Sequence, residues 1–155
     1  MTIINKKVFL FVFLFSFIGF QPTIADNFNS DLREIRSEIN RDNLKDAIKK
    51  LKKIKISNEN EQENIDLLFG DIYLKINKID KAEEFYQKTF FSSNEEIEAE
   101  TFIGLAEVRL AQGKLSDAIK YAKQSIQINS NKIRPKIILA LSLIHISEPT
   151  RQEAI

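Results

Sequence analysis

The 155-residue chain contains no cysteine and no tryptophan, a single methionine and a single histidine, three prolines and four glycines. Without cysteine there is no disulfide, no thiolate nucleophile and no cysteine zinc site, and lipid attachment to a cysteine is excluded. One histidine, His145, is too few for most zinc sites and confines imidazole chemistry to one position. No glycine-rich loop of the kind that cradles phosphate is present. Charge of one sign is also missing. Residues 26–140 carry 20 Lys plus Arg and 20 Asp plus Glu, so no overall field draws nucleic acid to that segment. Period-two alternation is absent as well, which excludes a β architecture.

Hydrophobic and aromatic residues are concentrated at the start. Six of the twelve phenylalanines fall in the first twenty residues. Lys6 and Lys7 precede an apolar run over 8–20, and Gln21-Pro22-Thr23-Ile24-Ala25 leads into Asp26. A positive end, an apolar middle and small residues before a polar junction are the parts of a secretory signal, with cleavage expected after Ala25. The thirteen-residue run would span only about 20 Å as a helix, short of a ~30 Å hydrocarbon core. Export to the periplasm or envelope of a bacterium is the expectation, with membrane contact through this segment alone.

From residue 26 onward apolar residues recur at three and four, which predicts an all-α protein with helices near 28–39, 44–55, 64–76, 81–90, 96–111 and 116–128, and another beginning near 132. Three stretches superimpose: NLKDAIKKLKKI from Asn43, NKIDKAEEFYQKT from Asn77 and GKLSDAIKYAKQS from Gly113. Each has a turn residue, an aliphatic and then an alanine, and Ala47, Ala82 and Ala118 are spaced 35 and 36 apart. Gly70 and Ala106, each twelve residues before the last two alanines, are expected to let paired helices approach closely.

With these features the chain resembles the tetratricopeptide repeat family, whose unit of about 34 residues is a helix-turn-helix. The third unit carries Phe102, Leu105-Ala106, Gly113 and Ala118; the second carries Phe69-Gly70, Tyr73, Ala82 and Tyr86; the first has Ile35 where a small residue is expected. Arg109 replaces an apolar ring and Ser130 a proline. The resemblance covers residues 28–140 and implies about three stacked units plus the first helix of a fourth, in which Asn131 caps, Pro135 sits in the first turn and Ala140 follows Ala106 by 34. The stack implied is a short right-handed superhelix.

The expected second helix of that fourth unit, with an alanine near position 152, has no counterpart in LSLIHISEPTRQEAI. Leu141 to Arg151 is also the translation of one frame of a common transposase-based sequencing adaptor, and Gln152 to Ile155 suits the codons that follow it. Residues 141–155 are therefore expected to be translated adaptor read-through, and His145 carries no site.

No catalytic constellation emerges. Glu83-Glu84 and Glu95-Glu96 are sequence neighbours and do not share a helix face. The lysines at 45, 49, 50, 52, 53 and 55 occupy what the apolar stripe Leu44, Ala47, Ile48, Leu51 and Ile54 leaves over, and read first as a solvated convex face. Contact with an anionic membrane surface is the sharper reading.

The family implies a concave groove lined by the first helix of each unit. Its positions here are Leu32, Arg36 and Ile39; Leu67, Asp71 and Leu74; Ile103, Glu107 and Leu110; and Ile137. Two apolar rows would flank a charged step suited to a peptide with hydrophobic anchors and a basic residue between them. The expected function is a non-catalytic, cofactor-free and metal-free scaffold that binds a protein or peptide. The alternative is the repeat region of a larger envelope enzyme whose catalytic domain lies beyond residue 140.

Overall fold

Three turns with the same backbone build the molecule. Asp42, Asn77 and Gly113 each adopt left-handed geometry, with φ of 64°, 57° and 73°. They are spaced 35 and 36 apart, as the alanines are. In each turn the N–H of this residue donates to a carbonyl three back, Ile39, Leu74 or Leu110, and the next N–H donates five back, to Glu38, Tyr73 or Arg109, at 2.8–3.1 Å. This double closure satisfies carbonyls that a helix end leaves open and reverses the chain sharply.

The computed structural model describes residues 24–147. Residues 1–23 of the expected leader and 148–155 of the expected tail, including the position of the awaited alanine, lie outside them. The helices are α1 (Ile24–Asn40), α2 (Leu44–Leu51), α3 (Glu59–Lys75), α4 (Ile79–Lys88), α5 (Glu95–Ala111), α6 (Leu115–Ile128) and α7 (Arg134–Ser147). Among the described residues there is no strand, and the fold is all-α and repeat-like.

Helix starts differ from the periodicity where caps decide them. The α3 helix begins five residues before the apolar pattern does, because Asn58 Oδ1 accepts from Glu61 N at 2.9 Å while Glu61 Oε2 accepts from Ser57 N at 2.7 Å. Such reciprocal bonds hold a polar first turn helical. Asn94 does the same for α5 by accepting from the N–H groups of Glu96 and Ile97. The α2 helix stops at Leu51 rather than Lys55, and the chain tightens into i→i+3 bonds from Lys53 and Ile54. The α7 helix starts at Arg134 with Pro135 in its first turn, where a missing N–H costs nothing. Asn131 lies outside it, its N–H bonded to Asn129 Oδ1.

The helices form two layers. The first helices α1, α3, α5 and α7 each pack on the next, whereas α2, α4 and α6 make no contacts with one another among the described residues. The inner layer is therefore continuous and the outer layer is spread apart, so α1, α3, α5 and α7 line the concave side.

The core is made of side-chain sandwiches repeated in register. In the middle unit the Tyr86 ring lies between Gly70 of α3 and Gly104 of α5: a Cβ on Gly70 would fall 2.6 Å from the ring, and one on Gly104 closer still. The corresponding triplet one unit earlier is Ile35, Leu51 and Leu68, which share one cluster. One unit later it is Ala106, Ala122 and Ile138, which share another. A large centre takes two glycine walls, and medium residues take each other, since interiors are packed without voids. This corrects the sequence expectation for Gly70, whose smallness accommodates a tyrosine ring rather than the backbone of the paired helix. It also explains Ile35, which has Leu51 opposite it in place of a tyrosine. Ala47, Ala82 and Ala118 are fully buried.

Arg109, at the position where a ring was expected, joins two units. Its guanidinium donates to both oxygens of Glu83 on α4, at 2.8 and 2.6 Å, and Gln112 donates to the same carboxylate. The pair is mostly buried, and the guanidinium holds the Glu83 carboxyl below the usual carboxylate range.

Candidate functional site

The concave side contains a cavity of about 310 Å³ lined by Arg36, Ile39 and Asn40 from α1, Leu67, Leu68 and Asp71 from α3, Glu100 from α5 and Arg134 from α7. It draws on four first helices, as stacking of the inner layer requires.

The ten sequence-predicted groove residues divide by exposure. Leu32, Leu67, Ile103 and Ile39 are buried. The row Leu32, Leu67 and Ile103 belongs to the core instead of forming an open apolar strip, because successive inner helices pack directly on each other and close over it. Leu74 and Leu110 are half-buried, and Leu74 packs against the middle core. Ile137 is 52% exposed on α7. Arg36 is exposed, and Asp71 and Glu107 are half-buried. Only Arg36, Ile39, Leu67 and Asp71 of the ten line the cavity.

The charged step is engaged within the chain. Arg134 donates through Nη2 to both oxygens of Glu107, at 2.9 and 2.8 Å, and through Nη1 to Glu100 at 3.4 Å. Lys132 reaches Glu96 at 2.7 Å and also pairs with Glu100. Tyr86 Oη donates to Asp71 Oδ1 at 2.7 Å. Burial pushes the Asp71 carboxyl up to about 6; the Tyr86 bond and Arg134 hold it down, while Glu107 and Glu100 push it further up. Burial and then the Asp71 charge raise Tyr86 well above its ordinary value, so it remains a hydrogen-bond donor. Arg36 has no ion-pair partner among the described residues and is the free cation of the groove.

Asn40, Leu68, Glu100 and Arg134 were not singled out in the sequence. For Glu100 and Arg134 a signal existed: they stand one helical turn before Ile103 and Ile137, on the same face. Extending the inner row by a turn would have reached both. Nothing in the spacing revealed that they pair with each other.

Among the described residues no group of His, Cys, Asp or Glu is arranged to hold a metal ion, and no helix is long and apolar enough to cross a membrane. His145 is exposed on α7, with Nδ1 2.9 Å from the Leu141 carbonyl oxygen. No protein-family model matches the chain, and no curated protein or solved structure matches it.

Proposed function

We propose that the chain is an exported, non-catalytic scaffold of tetratricopeptide type that binds a partner peptide in its concave groove. The observation that carries this reading is the cavity across α1, α3, α5 and α7, with buried Ile39, Leu67 and Leu68 forming its apolar wall and Arg36 free at its edge. The identical turns at 35 and 36 residue spacing support the family assignment, since such stacked units present one continuous inner surface.

The ion pairs alter the chemistry of the partner. With Glu107 and Asp71 already partnered, the preferred peptide carries an apolar anchor and an acidic residue facing Arg36, in place of the basic residue that the sequence led one to expect. Recognition is selected by that one charge.

Residues from 141 on are read as foreign to the repeat. Ser142 stands where the two preceding units have Ile72 and Val108, all three fully buried, and its Oγ has no hydrogen-bond partner. A hydroxyl stranded at an apolar core position costs about 1–3 kcal/mol.

Selection of a displayed peptide library on the full chain tests the groove. The expected motif pairs an acidic residue with apolar neighbours, and Arg36→Glu should weaken the selected peptides about tenfold, ~1.4 kcal/mol. The same charge change at Lys120, exposed on outer helix α6, should leave them unaffected. Selection of no motif, or equal binding by the Arg36 variant, would remove the proposal.

A further inference from the structure

The outer surface of the first unit has an unbalanced charge. Between positions 41 and 55 there are seven basic residues against two acidic ones, a net charge of +5 in a segment that is neutral over 26–140. Of the six lysines only Lys50 turns inward, to Glu34 at 2.7 Å and Glu38 at 3.0 Å on α1. Lys45, Lys49, Lys52, Lys53 and Lys55 are exposed without ion-pair partners among the described residues.

These side chains form one outward surface. Lys45 and Lys49 stand at i and i+4 on one side of the eight-residue α2, and Lys52, Lys53 and Lys55 follow in the turn beyond its end. Like charges at this spacing weaken a helix, and an anionic surface would relieve their repulsion. Among the described residues the α2 helix packs only on α1 and α3, and none of them covers its lysine side. Its apolar side is already used: Ala47 and Leu51 are buried, with Leu44, Ile48 and Ile54 packed against them. Contact through this surface is therefore electrostatic and peripheral, with Ile56, 45% exposed, as the large apolar side chain beside it.

We propose that the outer side of α2 and the turn after it dock on a membrane surface carrying anionic lipid headgroups. Clusters of four to eight basic residues on an amphipathic helix have this affinity. Complementary charge favours the lipid surface, and the residue types disfavour single-stranded nucleic acid: no aromatic residue occurs from 29 to 68 on which bases could stack. The basic unit is also the one that follows the apolar segment 8–20 in sequence. This inference is independent of the groove, which lies on the opposite layer.

Co-sedimentation of the full chain with vesicles tests it, comparing phosphatidylcholine alone with an equimolar mixture of phosphatidylcholine and phosphatidylglycerol. The mixed vesicles are expected to bind more chain, and the excess should vanish at about 1 M salt, where the screening length is about 3 Å. K45E/K49E should lower the excess at least about tenfold, whereas K120E/K123E, the same charge change on α6, should leave it within about twofold. K52E/K55E, beyond the end of α2, provides a second pair if the first perturbs the helical circular dichroism spectrum. Equal losses from the α2 and α6 pairs, equal binding to both vesicle types, or a charge-dependent affinity for single-stranded DNA or for a second copy in place of vesicles would each overturn the proposal.

Discussion

Gly104→Ala should destabilise the protein by about 2–3 kcal/mol, the cost of forcing an extra carbon into a filled core. The sign is informative because the same replacement in an exposed helix interior stabilises by up to about 1 kcal/mol. Tyr86 is 1% exposed, and its ring is held between Gly104 and Gly70. Moving the ring away from a new methyl at 104 presses it toward Gly70, and its hydroxyl is tied to Asp71. The collision therefore has no cheap escape. Urea denaturation of the single variant and of Gly104→Ala in a Tyr86→Leu background would measure the coupling. In the second background the alanine should be neutral or stabilising, since leucine is what the first unit carries at that position. A stabilised single variant would show that no ring occupies the space between the two helices.

Asp71→Asn should stabilise the protein by about 1–2 kcal/mol at pH 7.5, and the advantage should disappear near pH 4. The carboxyl moves from an ordinary 3.8 to about 6 on folding, chiefly through burial. A group whose folded pKa is raised binds its proton more tightly in the native state, so its contribution to stability is greatest below 3.8 and is lost as pH rises through about 6. The full difference is on the order of 3 kcal/mol. Part is returned because the Tyr86 hydroxyl bonds more strongly to a carboxylate than to a neutral amide oxygen. Denaturant midpoints for the two proteins between pH 4 and 8 would test this, and parallel curves across that range would mean that Asp71 stays hydrated.

Local signals were enough for much of the backbone. The turns at Asn77 and Gly113 follow from residue types that tolerate left-handed geometry, placed where apolar periodicity is interrupted, whereas the first repeat, aligned from Asn43, turns one residue earlier at Asp42. Pro135 was placed correctly in a first turn for an equally local reason. The early start of α3 was less legible because ENEQEN has no apolar stripe, and only the Asn58 and Glu61 bonds mark it as helix.

The groove was legible only in part. Counting along the repeat put Arg36, Ile39, Leu67 and Asp71 on the surface that lines the cavity, but counting cannot tell an exposed inner row from a buried one. Whether Leu67 faces a ligand or a neighbouring helix depends on how closely α1, α3 and α5 approach. Charge was misjudged for a related reason. Asp71 and Glu107 read as available for a basic partner in the sequence, but Tyr86, fifteen residues from the first, and Arg134, twenty-seven from the second, are bonded to them.

The order of helices, the turns at Asn77 and Gly113 and the 35 and 36 residue spacing of the alanines are determined by sequence alone, because they rest on interactions spanning at most a few residues. The sandwiching of Tyr86 by two glycines, the raised pKa of Asp71, the capture of Glu107 by Arg134 and the freedom of Arg36 were decided by tertiary structure. Each depends on distances between helices, and those distances are set by the summed volumes of side chains that meet only after the units have stacked.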